Sequence, residues 1–316
     1  MIKYIVILSI VILLYVIFRK REGIPKNIKP APLANKPPMG WNSWNCFNQE
    51  IDEDKIKEIV DCFVDLRLDS VGYEYIIIDD GWASNERDAD GNLQAHETRF
   101  PSGMKAIGDY IHSKGLKFGL YTSVGRETCE GFPGSYDHEK KDMTKFAEWG
   151  VDYVKIDWCT YKKIWWPFWN YKTIYYKMSK AIQETGRPMV INLCNWGFDE
   201  PWLWGPKIAH SWRVTYDIKP TKDSIDYIVR EGKKLYKYNG PNHWNDLDML
   251  EVGNEGISGD LAKYHFEMWC KLKSPLILGC DLRSISKEDL EIITNENLIE
   301  LNQRNELSMN DMMISP

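Results

Sequence analysis

From residue 39 onward, short apolar runs and amphipathic helical patterns alternate about eight times in one continuous block. Residues 73–79, 116–121, 153–157 and 188–193 read as strands, and residues 39–44, 211–213, 243–246 and 275–279 complete the set. Helical patterns at 52–68, 101–114, 142–149, 171–185, 224–238, 259–272 and 287–295 separate or follow them. The first of these shows the logic. Its acids crowd the first turn, and Ile56, Ile59, Val60, Phe63 and Val64 fall on one face. Nearly continuous apolar strands joined by helices imply a parallel sheet covered on both faces. Eight such units in about 275 residues fit an α/β fold of the (β/α)8 TIM-barrel type. A doubly wound open sheet is the alternative. The barrel is favoured because polar and aromatic residues follow almost every strand, and a barrel brings all those strand ends to one face.

The most informative strand is Tyr153–Asp157, which ends in a carboxylate followed by Trp158 and Cys159. Lys155 stands two residues before Asp157, so both side chains point to the same face. A neighbouring cation is expected to keep Asp157 ionised, as a carboxylate nucleophile requires. Taken alone, the heptad equally fits an Asp capping the next helix.

The other strand ends contribute Trp44, Asp79 and Asp80, Tyr121, Cys194-Asn195-Trp196, Arg213 and Asp217, and Asp248. There is no His/Cys cluster for a transition metal, no phosphate-cradling Gly-rich loop and no Gly-x-Ser-x-Gly elbow. No cofactor or metal is expected. A net charge of −6 argues against a nucleic-acid surface. The chain has seven cysteines without a CxxC pair, too few for a disulfide-built scaffold and leaving at least one thiol free. A carboxylate-rich, aromatic-lined pocket remains, and two acids across a scissile bond are the minimum for glycoside hydrolysis.

Residues 1–22 hold an apolar run, 4–18, with Lys3 before it and Arg19-Lys20-Arg21 after it. It reads as a membrane anchor or a signal segment. The anchor is favoured because Ala31-Pro32-Leu33-Ala34 makes a poor and distant cleavage site. The side of the membrane and the oligomeric state stay open. Residues 23–38, with five Pro, read as a linker, and 39–316 as the catalytic barrel.

Eight ordered blocks carry a family resemblance: Met39-Gly40-Trp41-Asn42-Ser43-Trp44, Ile78-Asp79-Asp80-Gly81-Trp82, the run 129–135, Val154-Lys155-Ile156-Asp157, Leu193-Cys194-Asn195-Trp196-Gly197, the run 212–218, Trp244-Asn245-Asp246-Leu247-Asp248-Met249-Leu250 and the run 274–283. The chain resembles the α-galactosidase (melibiase) family, glycoside hydrolase family 27. The resemblance implies a carbohydrate substrate and a retaining mechanism, with Asp157 as nucleophile and Asp217 as general acid/base. Such an enzyme holds its two carboxyl groups about 5–5.5 Å apart. By the same resemblance Trp44, Asp79, Asp80, Tyr121, Lys155, Asn195, Arg213 and Asp248 would meet the sugar, and Cys129 would bridge to Cys159.

Three features depart from the family pattern. Gly81 stands where members often carry a Cys, so Cys46 is expected to be free or differently paired. Phe198 is bulky where enzymes for 2-acetamido sugars have small residues, which favours galactose over N-acetylgalactosamine. The sequence ends soon after the eighth unit, so the family's C-terminal β-sandwich is expected to be missing. Close relatives acting on α-N-acetylgalactosaminides or β-L-arabinopyranosides, and a non-catalytic membrane-tethered sugar binder, are the competing functions.

Overall fold

The structure is a computed structural model that describes residue 28 and residues 30–159 and 171–307. Eight strands alternate with helices in chain order: β1 Met39–Asn42, β2 Tyr75–Ile78, β3 Lys117–Ser123, β4 Tyr153–Asp157, β5 Val190–Cys194, β6 Ser211–Arg213, β7 Trp244–Asp246 and β8 Leu276–Leu278. All ladders are parallel, and the sheet runs β7-β6-β5-β4-β3-β2-β1-β8. β7 and β8 do not pair directly. The segment after β7 closes the gap: Leu250 donates to Ile277 O at 2.7 Å and accepts from Gly279 N at 2.9 Å. This is the expected (β/α)8 topology, with its seam sealed by a loop.

Alternation along the strands separates two cores. Ile76 and Ile78, Phe118 and Leu120, Val154 and Ile156, Ile191 and Leu193 face outward into the main core under the helices. Tyr75, Ile77, Tyr153, Val190, Met249 and Ile277 form a second cluster inside the barrel, with the Tyr75 and Tyr153 rings 5.4 Å apart. Along β4 the inner column is therefore Tyr153, Lys155, Asp157. It starts on the apolar plug and ends at the open face.

The helices follow the amphipathic patterns. Glu53–Asp65 is capped by Asp52, whose side chain accepts from Lys55 N, and it buries Ile56, Ile59, Val60 and Phe63. β1 stops two residues short of the expected Trp44, because Trp44–Phe47 forms a helical turn. A further helix, Glu296–Gln303, follows the last expected one and is capped by Asn295.

Part of the expected linker is a strap. Ala34 is buried, donates to Asn242 Oδ1 at 3.0 Å, and accepts from Trp244 Nε1 at 2.8 Å. Leu33 packs on the inner cluster, and Pro38 O accepts from Leu276 N, so these residues cover the bottom of the barrel. The apolar run at 4–18 lies outside the described residues. No helix among the described residues is long and apolar enough to cross a membrane.

Candidate active site

At the C-terminal face, β1, β2 and β4 first build a carboxylate lock. Asp79, one residue past β2, accepts from Asn42 Nδ2 at 2.6 Å and from Lys155 Nζ at 2.8 Å. Both partners of the Lys155–Asp79 ion pair are almost wholly buried. Lys155 thus reaches past β3 to hydrogen-bond Asp79 rather than its strand neighbour Asp157. Burial pulls the Lys155 pKa down, but Asp79 and the other nearby charges outweigh it and hold the ammonium charged.

Asp157 ends β4 and is 6% exposed; its carboxylate accepts from Trp158 N at 2.7 Å. Burial raises its pKa from 3.8 to about 7, against the lowering influence of Lys155 and the Trp158 N–H. The expected influence of Lys155 toward an ionised Asp157 is present, but burial outweighs it. The ammonium is committed to Asp79, and loss of water around Asp157 is the larger effect. Asp80 is also raised by burial, to about 6, though it accepts from Gly81 N at 2.9 Å and Glu130 N at 3.1 Å.

The loops after β6 and β7 supply a second cluster. Arg213 Nη2 lies 2.7 Å from Asp248 Oδ2 and 3.1 Å from Asp217 Oδ1. Asp248 is buried and raised to about 6 by that burial, with Arg213 opposing. It also accepts from Ile218 N at 2.8 Å, tying the loop that carries Asp217 to the one after β7. Its backbone sits at φ +81, a left-handed conformation that a non-glycine residue holds only under constraint. Asp217 is the outlying member, its side chain 67% exposed.

These groups share one cavity of about 480 Å3, part of it open to solvent. Trp44, Asp79, Asp80, Tyr121, Lys155, Asp157, Arg213, Asp217 and Asp248 line it as the sequence suggested. Lys155 Nζ lies 5.6 Å from the Tyr121 ring centroid. Two suggested residues do not line it. Asn195 is fully buried, its Nδ2 donating to Phe198 O at 2.5 Å and its Oδ1 unpartnered. Phe198 lies at the rim, 36% exposed. The loop after β5 turns both away: Trp196, Asp199 and Glu200 all take positive φ, and Trp196 lines the cavity in their place. Gly197 permits this, because a Cβ there would sit 2.3 Å from Val214 O.

Asn45, Ile218 and Met249 also line the cavity without having been singled out. Behind Asn45, the buried Glu251 accepts from its side chain and from Asn254 Nδ2 at 2.5 Å, and burial lifts its pKa to about 7. Asn45 and Glu251 both sit one residue beyond a segment that the strand-end pattern marks; only packing reveals that they meet.

Cys129 and Cys159 form the expected bridge, linking the loops after β3 and β4. Their sulfurs and an Asp157 oxygen lie within 4.8 Å of one another, and both sulfurs are committed to the bridge. Cys46 is a free thiol, as Gly81 implied. Away from the cavity, His265 packs against Trp269 with ring centroids 4.1 Å apart. Asp281 pairs with Arg283 at 2.7 Å.

Known proteins resemble this chain over most of its length. A family model described as alpha galactosidase A matches residues 36–304. Alpha-galactosidase A of Cellvibrio japonicus is 45% identical over 282 residues, covering 86% of this chain and 68% of that protein. The alpha-galactosidase of Cyamopsis tetragonoloba is 43% identical over 272 residues, covering 86% of this chain and 65% of that protein. The crystal structure of alpha-galactosidase I from Mortierella vinacea superimposes with a TM-score of 0.83 at 37% identity, covering 87% of this chain and 75% of that one. This chain thus spans about two thirds of the length of the curated relatives it matches.

Proposed function

The chain belongs to the α-galactosidase (melibiase) family of glycoside hydrolases, family 27, and from that premise we propose that it is a retaining exo-glycosidase acting on terminal α-D-galactosides. The observation that carries the reading is the unequal placement of two acids in one cavity. Asp157 lies at the buried floor, and Asp217 lies at the solvent-facing mouth.

A nucleophile belongs where water is excluded and the anomeric carbon is held; an acid/base belongs where the leaving group departs and water enters. Asp157 attacks the anomeric carbon while Asp217 protonates the glycosidic oxygen. The galactosyl ester on Asp157 is then hydrolysed by a water that Asp217 deprotonates. Asp79 and Asp80 present acceptors to sugar hydroxyls, and Lys155 and Arg213 supply donors beside them. Trp44 and Tyr121 offer faces to the C–H side of the ring. Galactose as the sugar follows from the family rather than from Phe198, whose rim position does not gate the 2-substituent.

The test is covalent trapping with a slow fluorinated galactoside followed by peptide mass spectrometry. The label should fall on Asp157. Asp157→Asn should not be labelled, while Asp217→Asn should be labelled slowly by a substrate with a good leaving group. Normal turnover by Asp157→Asn would refute the assignment, and failure to cleave any α- or β-glycoside would refute the hydrolase.

The apolar run at 4–18 supports tethering of this activity to a membrane. Protease protection in intact membranes tests both the tether and its orientation; full recovery in the soluble fraction would exclude the tether.

A further inference from the structure

Glu251 is a buried carboxylate behind the cavity wall, and no step of the reaction above uses it. It follows Leu250, which closes the seam between β7 and β8, and its backbone is pinned on both sides. Leu250 N donates to Ile277 O at 2.7 Å, and Glu251 N donates to His265 Nε2 at 2.9 Å. Each of its carboxylate oxygens accepts from an asparagine. Oε2 accepts from Asn254 Nδ2 at 2.5 Å, and Oε1 accepts from Asn45 Nδ2. Asn45 lines the cavity beside Trp44 and Met249.

The two amides are not equally free. Asn254 uses its NH2 twice, on Glu251 and on Gly279 O at 3.2 Å, so turning it over would break both bonds. Among the described residues, the Asn45 side chain bonds Glu251 alone. The Trp44–Phe47 turn that carries Asn45 lies close on the seam, because Gly279 has no side chain; a Cβ there would sit 3.1 Å from Asn45 Cβ. The backbone is thus set on both sides, and the orientation of one amide is left to its carboxylate partner.

An ionised carboxylate only accepts, whereas a carboxylic acid donates from one oxygen. With Glu251 ionised, both asparagines face it with NH2. A proton belongs on Oε1, because the anchored Asn254 keeps Oε2 an acceptor. Asn45 then meets an O–H, which its amide oxygen accepts, and its NH2 turns to the other side. Burial lifts Glu251 to about 7, with Asp248 adding to the rise and the Asn254 and Asn45 hydrogen bonds opposing it. The other titratable groups facing it supply no counter-charge. Burial holds His265, on the helix Gly259–Lys271, neutral with a pKa of about 3, and pushes the Cys280 thiol up to about 12.

We propose that Glu251 is a positioning residue that sets the polarity of the cavity wall at Asn45: the carboxylate turns the amide oxygen toward the sugar, where it accepts from a hydroxyl, and the carboxylic acid turns the NH2 there instead. The assignment rests on the hydrolase reading given above, which supplies galactose as the occupant.

The experiment measures binding of galactose and of its monodeoxyfluoro derivatives at about pH 8.5 and about pH 5.5, on either side of the Glu251 pKa. Fluorine cannot donate, so an acceptor in the wall favours the hydroxyl over it. Glu251→Gln always offers one donor and one acceptor, and it holds Asn45 in the turned state at both pH values. For the derivative altered at the hydroxyl facing Asn45, the preference for galactose should be roughly three- to tenfold weaker in Glu251→Gln than in the unsubstituted chain at the higher pH, the scale of one hydrogen bond, and equal to it at the lower. Asn45→Ala should weaken the same preference at the higher pH and strengthen it at the lower, which decides the matter even where the Glu251 variant does not fold. A difference from the unsubstituted chain that is alike in size and sign at both pH values, or no difference with any derivative, would overturn the assignment. Failure of the unsubstituted chain to bind galactose or any derivative would overturn the galactoside reading beneath it, and the assignment with it.

Discussion

The Lys155 ammonium lies 2.8 Å from Asp79, on the neighbouring side of the barrel, although Asp157 follows it by two residues on the same strand. Side chains from β2 and β4 converge in the barrel interior, so inward neighbours compete for one cation. Asp79 takes it and leaves Asp157 to be governed mainly by burial.

Breaking that pair should be costly in two ways. Lys155→Met strands the Asp79 carboxylate in the interior and removes the cation opposing burial at Asp157. A stability loss of about 3–5 kcal/mol is expected from urea unfolding. The acidic limb of kcat/KM should also move to higher pH. A loss below about 1 kcal/mol, or a limb displaced downward, would contradict the arrangement.

Stability of the ligand-free enzyme should depend on pH through Asp157. Its folded pKa is raised from 3.8 to about 7, so between those values the folded chain binds more protons than the unfolded one. The associated stability is fully present below the unfolded value and is lost as pH rises through about 7. Asp157→Asn cannot ionise and escapes that loss. Relative to the unsubstituted chain, it should gain roughly 2–4 kcal/mol between pH 4 and pH 8. A difference independent of pH would exclude this role.

Gly81 should resist substitution. It holds φ +102, and a Cβ there would lie 2.9 Å from both Cα and O of Gln49. Gly81→Ala is expected to cost about 1–3 kcal/mol through strain and displacement of that backbone. The same clash would disturb Asp80, whose carboxylate accepts from Gly81 N. Thermal unfolding and kcat/KM should fall together; an Ala variant as stable as the parent would show that the Gln49 segment yields freely.

Removing the bridge should loosen the pocket floor. Cys129 and Cys159 are 30 residues apart, a loop whose closure is worth about 3–4 kcal/mol in the chain-entropy account. Glu130, next to Cys129, donates its N–H to Asp80. The Cys129→Ser/Cys159→Ser variant should therefore lose stability on that scale and also lose kcat/KM. Retention of full activity with the stability loss would confine the bridge to scaffolding.

Much of this protein is written locally. The eight-fold alternation of strand and helix patterns, the acid-led start of the Glu53–Asp65 helix and the polar tips of the strands all follow from side-chain period and backbone preference. Those signals placed ten of the residues that line the cavity on one face, because a parallel barrel has only one face where strands end. What local pattern could not contain was set by contacts far apart in sequence. Leu250, not a strand, closes the β7–β8 seam. The left-handed turns after β5 carry Asn195 and Phe198 away from the cavity and Trp196 into it. The proton affinity of Asp157 depends on how much water the whole assembly excludes. Strand tips name the chemistry because alternation is local; which carboxylate holds the cation, and which stays free to react, is decided only when the barrel brings them together.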